Sequence, residues 1–382
     1  MNIILHIGQS KTGTTALQSF LSRNRKKLAK EYSTLYPDIT LKGRPINLLN
    51  HNAFANALNG YDFYPYLTAD EYWHQFMEQY KASGCETLLL SGESFFGGRP
   101  YLWEFDDIND YYSVYKEKLE VLKRYTGEDN LKIIVYLRSQ IQWLTSAIPQ
   151  IIRYEGTMQQ RIYEDDKQIT QMLVPCMNYE RLMSEWGAVL DPDAMYMKEY
   201  NRKNLTKQNI ILDFLDLIGV SPSDFEIDHP EDHVHESWSR EIIELKKELN
   251  LTPKSRIAED TIIDILDRHN TAHGKKEKYA LPPEIQKFVF ETFYEGNEKL
   301  SRQYNDGKAI FSKEKPDFDT LKYASVSKES VLEAKTRFLK TKRSFDGYRT
   351  LLYNAFKRFL KRTNPYLFSY CSSLRKKIKR HG

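Results

Sequence analysis

The hydrophobic pattern alternates between short apolar runs and longer stretches with helical spacing. The apolar runs have the length of buried strands, and they lie at residues 3–7, 87–90, 131–137 and 194–198. The stretches with apolar residues at helical spacing lie at residues 14–31, 69–82, 106–124, 141–153, 168–186, 205–218, 240–249, 261–270 and 282–304. Strands that alternate with helices predict an α/β fold with a short parallel sheet flanked by helices.

The first strand runs directly into a glycine-bounded loop. Residues 8–15 read GQSKTGTT, and the next helix begins at about Thr14. A strand, a glycine-bounded loop and a helix N-terminus together bind phosphate, because the loop amides and the helix dipole point at one spot. The residues expected to contact the phosphate are Ser10, Lys11, Thr12, Gly13, Thr14 and Thr15. The alternative is a Gly/Thr-rich turn with a solvated lysine.

The loop has the glycine spacing of a Walker A motif but departs from it at the lysine. Four residues separate Gly8 from Gly13, as in that motif, but Thr14 stands at the lysine position and the lysine is Lys11. The sequence KTGTT after an N-terminal strand resembles the 5′-phosphosulfate loop of sulfotransferases that use 3′-phosphoadenosine 5′-phosphosulfate (PAPS). The resemblance implies a P-loop-like three-layer fold that binds PAPS.

A second motif supports the same resemblance. The segment IIVYLRSQIQWLTSAI resembles the 3′-phosphate motif of these sulfotransferases, with Arg138 at the strand end and Ser146 eight residues later on a helix. An arginine offers forked donors to a phosphate, and the serine lies about two turns along the helix. The alternative for Arg138 is a structural ion pair. The resemblance also suggests that Tyr200, after the strand at 194–198, contacts adenine. The alternative is that Tyr200 is an ordinary surface tyrosine at a strand end.

Two residues are candidates for the catalytic base. Glu93 follows the strand at 87–90, and ligands of open α/β sheets bind outside the carboxyl ends of the strands. Its alternative is a capping or ion-paired glutamate. His51 lies in a short predicted helix within residues 46–58 and is the reserve base. Lys11 is expected to stabilise charge on the leaving phosphate.

No metal site is predicted. The histidines of the acidic stretch 224–236 (His229, His233 and His235) have no metal-ligand spacing, and Pro230 interrupts any helix there. The family's basic glycine-containing loop for the 3′-phosphate is missing its RKG pattern here, and Arg240 is a weak substitute. The cysteines, Cys85, Cys176 and Cys371, are odd in number and far apart, which suits a reducing compartment.

Charge is distributed unevenly, although the net charge is only +4. Residues 328–382 contain 16 Lys+Arg and three Asp+Glu, against 40 and 49 in the rest of the chain. We therefore expect a sulfotransferase domain at 1–315 and a basic helical tail at 316–382. The apolar stripe of the tail comprises Tyr348, Leu351, Leu352, Ala355, Phe356, Phe359 and Leu360. Such a helix fits an anionic membrane surface, packing on its own domain or on a second subunit, or nonspecific nucleic-acid contact.

The sequence has neither an apolar stretch of membrane-spanning length nor a secretory signal. We expect a cytoplasmic protein, with the tail as a peripheral contact to the inner face of the cell membrane. Resemblance to bacterial glycan-type sulfotransferases, which covers about residues 1–311, implies transfer of the sulfuryl group from PAPS to a hydroxyl of a carbohydrate, polysaccharide or glycolipid. A small alcohol or phenol is the other acceptor considered. The rival functions are a small-molecule P-loop kinase and a non-catalytic nucleotide- or membrane-binding adaptor.

Overall fold

A computed structural model describes most of the chain. The described residues are 1–41, 44–46, 48–60, 67–97, 108–127, 129–154, 165–227, 237–252, 255–272, 277–305, 307–312, 315–318, 323 and 326–363. The chain divides into two compact units. The first comprises Met1–Trp143, Gln171–Val234 and Phe288–Pro316, and the second comprises Leu144–Thr170, His235–Lys287 and Asp317–Gly382.

The first unit contains a five-stranded parallel sheet. The strands in chain order are β1 (Asn2–His6), β2 (Thr34–Leu35), β3 (Ile39–Leu41), β4 (Arg44–Ile46), β5 (Thr87–Ser91), β6 (Asn130–Leu137) and β7 (Ala194–Glu199). The order across the sheet is β2-β5-β1-β6-β7, and every neighbouring pair is parallel. Strands β3 and β4 form a separate antiparallel pair.

Helices account for most of the remaining described residues. They are α1 (Thr14–Arg23), α2 (Arg25–Tyr32), α3 (Asn52–Ala57), α4 (Ala69–Ser83), α5 (Ser94–Gly97), α6 (Ile108–Thr126), α7 (Gln140–Tyr154), α8 (Asp166–Met177), α9 (Tyr179–Leu190), α10 (Ile210–Leu217), α11 (Arg240–Asn250), α12 (Arg256–Ala272), α13 (Pro283–Tyr304), α14 (Lys328–Lys342) and α15 (Phe345–Thr363).

The interior strand β6 shows that the sheet is covered on both faces. Side chains alternate between the faces of a strand. Ile134 and Tyr136 of β6 belong to one buried cluster with Phe20 of α1 and Phe214 of α10. The alternate residue Val135 is also fully buried, so the opposite face is covered as well. A continuous apolar run is typical of a parallel strand buried on both faces, and the predicted α/β fold with helices flanking a parallel sheet is confirmed.

Two stretches with helical spacing are each divided into two helices. The first was predicted as continuous, and the second was predicted to be interrupted at Pro175. The stretch 14–31 is interrupted at Asn24, which has non-helical backbone angles and donates its side-chain amide to the carbonyl of Phe20 at 2.9 Å. The stretch 168–186 is interrupted at Asn178, whose side-chain oxygen accepts the backbone N–H of Arg181 at 3.2 Å. Pro175, the predicted point of interruption, lies inside α8. Asparagine side chains compete with the helix for backbone groups, and this competition sets both breaks.

The tail helices belong to the second unit. Helix α15 packs against α12, and α14 packs against α11 and α12. Residues 317–382 therefore share a compact unit with two earlier stretches of chain, and the division at residue 315 stays a prediction. Arg240 begins α11 in this unit, with its guanidinium 4.0 Å from the centre of the Tyr323 ring.

Several predictions lie outside the described residues. These are the candidate histidines at 229, 233 and 235 and the basic sequence after residue 363. Within the parts of the chain that the structure describes, no helix is long and apolar enough to cross a membrane.

Candidate functional site

The predicted site residues follow four neighbouring strands at one edge of the sheet. Strands β5, β1, β6 and β7 are adjacent in that order. Glu93 follows β5, the loop 7–13 follows β1, Arg138 follows β6, and Tyr200 follows β7. Parallel strands all end at the same edge, so four segments that are distant in sequence meet there. This edge is where ligands of open α/β sheets bind.

The loop after β1 has the backbone shape of an anion-binding turn. Lys11 and Gly13 both adopt left-handed conformations, with φ of 70° and 74°. Alternation of left- and right-handed residues turns successive amides toward one concavity, and the first amides of α1 have no partner within the helix. Gly13 is required twice over, because its φ is positive and a Cβ there would lie 2.7 Å from the hydroxyl oxygen of Tyr200.

Two of the three loop threonines use their hydroxyls within the protein. The Thr12 hydroxyl is buried and donates to the carbonyl of Gln9 at 2.6 Å. The Thr14 hydroxyl is also buried and donates to Oε1 of Glu93. Thr15 is exposed. Thr12 and Thr14 therefore shape the loop and connect it to Glu93, and the role of the three threonines as phosphate ligands stays a prediction.

Glu93 has the electrostatic setting of a base that works near neutral pH. Burial raises the pKa of its carboxyl to about 7, and the charge of Lys11 acts in the opposite direction. A carboxyl with that pKa is partly protonated and partly ionised at neutral pH, where proton transfer is most effective. Its hydrogen bond from Thr14 fixes the carboxylate beside the loop.

The raised pKa of Glu93 predicts a pH-dependent stability cost. The folded state binds the proton more tightly than the unfolded state, whose carboxyl has a pKa near 4.5, so stability falls as pH rises from about 4.5 to about 7. Glu93→Gln removes this cost and keeps the bond from Thr14. We expect urea unfolding to show the variant stabilised by roughly 2–3 kcal/mol at pH 8 and much less at pH 4.5. An equal gain at both pH values would contradict the assignment.

His51 lies in a position that does not suit the reserve base. It is fully buried, its Nδ1 accepts the backbone N–H of Ser91 at 3.0 Å, and its Nε2 lies 3.2 Å from the carbonyl of Pro37. Burial lowers its pKa to about 3. A base needs an accessible lone pair, whereas both ring nitrogens of His51 are occupied by backbone groups. The arrangement connects the segment at Pro37 to β5 and favours Glu93 as the base.

Arg138 is fixed to the loop and to Tyr200. Its backbone N–H donates to Oε1 of Gln9 at 2.9 Å, and its guanidinium lies 5.0 Å from the centre of the Tyr200 ring. Burial lowers the pKa of this guanidinium, which stays charged because an arginine pKa begins so high. Since Arg138 covers one side of the Tyr200 ring, stacking of adenine on Tyr200 stays a prediction. Ser146 lies in α7 within the second unit, and its pairing with Arg138 also stays a prediction.

Two residues of the site, Gln9 and His6, were not predicted from the sequence. Gln9 is buried, and besides accepting from Arg138 it donates to the Tyr179 hydroxyl at 2.6 Å. Its position inside the loop was the available signal. His6 is fully buried at the end of β1, with Nδ1 2.7 Å from the Ser91 hydroxyl. A Cβ on Gly8 would lie 2.9 Å from the His6 ring, so Gly8 is needed for close approach.

A buried lysine supports the segment that carries Glu93. Lys118 of α6 is 1% exposed, and its Nζ donates to the backbone carbonyls of Ser94 at 2.9 Å and Phe95 at 2.5 Å. These residues open α5 directly after Glu93. Burial lowers the pKa of Lys118 to about 7. The two bonds from Lys118 hold the first turn of α5 directly after Glu93, so we expect Lys118 to position Glu93.

Lys118→Met tests that role because methionine keeps much of the side-chain volume but cannot donate. For the sulfuryl transfer that the sequence resemblance implies, we expect kcat to fall roughly 10-fold or more through misplacement of Glu93, with the affinity for 3′-phosphoadenosine 5′-phosphate (PAP) nearly unchanged. Steady-state kinetics and nucleotide titration separate the two effects. Lys116→Met, at an exposed position of the same helix, is the matched control. Equal kinetics for the two variants would contradict the assignment.

No metal cluster accompanies these residues in the part of the chain that the structure describes. There, no group of three or more His, Cys, Asp or Glu side chains is arranged to hold a metal ion. The site is therefore characterised by one loop, the carboxyl of Glu93 and the cations of Lys11 and Arg138.

Comparison with known proteins yields two partial similarities. No protein-family model matches the chain. It is 28% identical over 194 residues to an uncharacterised protein of Archaeoglobus fulgidus, across 49% of this chain and 50% of that protein, so the chain spans about half the length of the relative. A crystal structure of a sulfotransferase from Alicyclobacillus acidocaldarius is similar with a TM-score of 0.37 and 14% identity, over 62% of this chain and 87% of that one. At this level no family follows from the comparisons.

Proposed function

We propose that the chain is a PAPS-dependent sulfotransferase that transfers the sulfuryl group to a hydroxyl acceptor. The observation that carries the proposal is the meeting of the Lys11 loop, Glu93 and Arg138 at neighbouring strand ends. A bisphosphorylated donor needs two anion sites, and an acceptor hydroxyl needs a base. These three elements supply both requirements at one edge of the sheet.

Donor binding would use the loop and Arg138 together. The amides of residues 10–15 and the N-terminus of α1 would hold the 5′-phosphosulfate. Arg138 would bind the 3′-phosphate, with Ser146 as the partner that the sequence motif implies. The contact between the Arg138 N–H and Gln9 supports this division, because it fixes the second cation relative to the loop.

The reaction would be an in-line displacement at sulfur. The Glu93 carboxylate takes the proton of the acceptor hydroxyl as that oxygen forms a bond to sulfur. The bond from sulfur to the bridging oxygen breaks, and its electron pair leaves on the 5′-phosphate of PAP. Lys11 stabilises the growing negative charge on that oxygen. Positioning and electrostatics account for such catalysis, as they do in phosphoryl transfer.

The acceptor would be a hydroxyl of a carbohydrate, polysaccharide or glycolipid. This choice is supported by the resemblance to glycan-type sulfotransferases and by the basic tail, which suits an acceptor held at a membrane. A small alcohol or phenol is the alternative. Both classes use the same base and the same donor site.

One observation favours a second candidate, a magnesium-dependent small-molecule kinase. The carboxyl of Glu93 follows the neighbouring strand β5 and contacts the loop through Thr14. P-loop kinases hold magnesium between a loop hydroxyl, at the position of Thr15 here, and a carboxylate at such a strand end. Two features favour the sulfotransferase. Thr14 stands where a Walker motif has lysine, and Arg138, not an acidic residue, follows β6.

Acceptor-stimulated release of PAP tests the proposal. Purified protein is incubated with PAPS and pools of oligosaccharides, glycolipids or phenols, with either magnesium or EDTA present. We expect PAP release that one pool stimulates and that EDTA leaves unchanged. ADP formation from ATP that requires magnesium, without PAP release from any pool, would assign the chain to the kinases instead.

A further inference from the structure

Helix α15 packs on α12 of the same unit through its polar side. Asn354 is fully buried and donates its amide to Oδ2 of Asp264 on α12 at 3.0 Å. Arg358, one turn later, forms an ion pair with Asp260 of α12. One turn earlier, the hydroxyl of Thr350 accepts from Arg268 at 2.8 Å. Thr350, Asn354 and Arg358 are spaced by four and therefore lie on one side of the helix. This polar side is the one that packs against α12.

The apolar stripe of the same helix faces outward. Leu352, Phe356 and Phe359 are 70%, 58% and 60% exposed, and their spacing places them on one side. Each residue turns a helix by about 100°, which puts this stripe opposite Asn354. Single exposed apolar residues are ordinary, but a contiguous group of large ones marks an interaction site. The packing of α15 on its own unit therefore leaves its apolar side available.

The positive charge of the segment around α15 favours an anionic partner. Residues 328–382 carry 16 Lys+Arg and three Asp+Glu. A second copy bound through this face would bring two such basic segments together, with mutual repulsion. An anionic lipid surface attracts them and also accepts apolar side chains below its headgroups. Arg349, about one turn before Leu352 and two turns before Phe356, lies on the flank of the stripe, as in helices that lie in the plane of a membrane surface.

We propose that the outward face of α15, formed by Leu352, Phe356 and Phe359, docks on an anionic membrane surface. The helix lies in the interface without crossing it. The polar edge that contacts α12 holds the helix on the protein while the apolar side enters the lipid. This contact is independent of the proposed sulfotransferase activity, because it uses none of the residues at the sheet edge.

Co-sedimentation of the full-length protein with vesicles tests the proposal. Vesicles of phosphatidylcholine alone are compared with vesicles that also contain phosphatidylglycerol. The double variant Leu352→Ser/Phe356→Ser is compared with Leu332→Ser, an equally exposed leucine on α14 (62%). We expect binding only to the anionic vesicles, a loss of at least ~10-fold in the double variant, and no loss in the control. PAP affinity should be unchanged in both variants, which separates this test from that of the activity.

Three results would overturn the proposal. The first is no sedimentation of the wild-type protein with anionic vesicles. The second is equal binding by the double variant, which would reduce the contact to electrostatic adsorption. The third is a concentration-dependent dimer in ultracentrifugation that the double variant abolishes, which would assign this face to a second copy. Unchanged circular dichroism of the double variant shows that it is folded.

Discussion

Glu93→Gln is expected to lower kcat/KM for sulfuryl transfer by at least ~10², because a positioned base contributes that much or more. Glutamine keeps the size of the side chain and accepts the bond from Thr14, but it cannot take a proton. In the wild-type protein, kcat/KM should rise with pH up to about 7 and then level off, since the ionised carboxyl is the active form. The variant should lose this rise.

The pH profile separates catalysis from structure. A merely structural glutamate would lower activity equally at every pH, and an adaptor without catalytic function would show no loss. His51→Gln is the comparison for the reserve base. Because both of its ring nitrogens bond to the backbone, that variant should lose stability and keep the acidic limb of the profile. If the rise of kcat/KM with pH disappeared in His51→Gln but persisted in Glu93→Gln, His51 would be the base and Glu93 would have a structural role.

Lys11→Ala is expected to lower kcat by roughly 10²–10³, the range seen when one donor to a developing negative charge is removed. Lys11 is exposed at the loop in a left-handed conformation, and its charge already opposes the raised pKa of Glu93. Without Lys11 the pKa of Glu93 should be higher, so the rise of the residual activity with pH should move to higher pH. Steady-state kinetics over a range of pH measure both effects.

Lys26→Ala is the matched control, since this lysine is exposed on α2, away from the loop. Lys26→Ala should leave both kcat and the rise of activity with pH unchanged. Lys11→Arg should recover part of the rate because it restores the charge. If Lys11→Ala kept the wild-type kcat and raised only KM, Lys11 would contribute to ground-state binding and not to charge stabilisation in the transition state.

The fold was largely predictable because the strands are buried on both faces. Runs such as residues 131–137 read as strands without any tertiary information, and the structure places β6 at Asn130–Leu137. The helix breaks at Asn24 and Asn178 were missed because single side-chain contacts set them. Periodicity averages over a window and does not register such local competition.

The predictable part of the site consists of charged residues that directly follow a predicted strand. Lys11, Glu93 and Arg138 follow apolar runs directly, and the parallel sheet brings those ends together. His51 differs because its environment is made by Tyr36 and Phe76, whose ring centres lie 4.8 and 5.2 Å from its own. Burial by residues distant in sequence leaves no local signal, and the support from Lys118 was hidden for the same reason.

The tail shows the limit of amphipathic patterns. Helix α15 lies where the sequence predicts an amphipathic helix, but the pattern alone did not say which side would face the protein. Polar contacts of Asn354 and Arg358 with α12 decide this orientation. Such contacts depend on acidic partners at Asp260 and Asp264, which lie about 90 residues earlier in the chain.

Calorimetric titration with PAP, 5′-AMP and ATP tests whether the site binds a bisphosphorylated nucleotide, because only PAP among the three carries both a 5′- and a 3′-phosphate. We expect micromolar PAP binding, much weaker binding of AMP and ATP, and loss of PAP binding in Lys11→Ala. In Arg138→Ala the preference for PAP over AMP should fall by ~10-fold or more, since a charge-assisted bond is removed. Tight binding of ATP with magnesium, or equal affinity for PAP and AMP in the wild-type protein, would contradict the account.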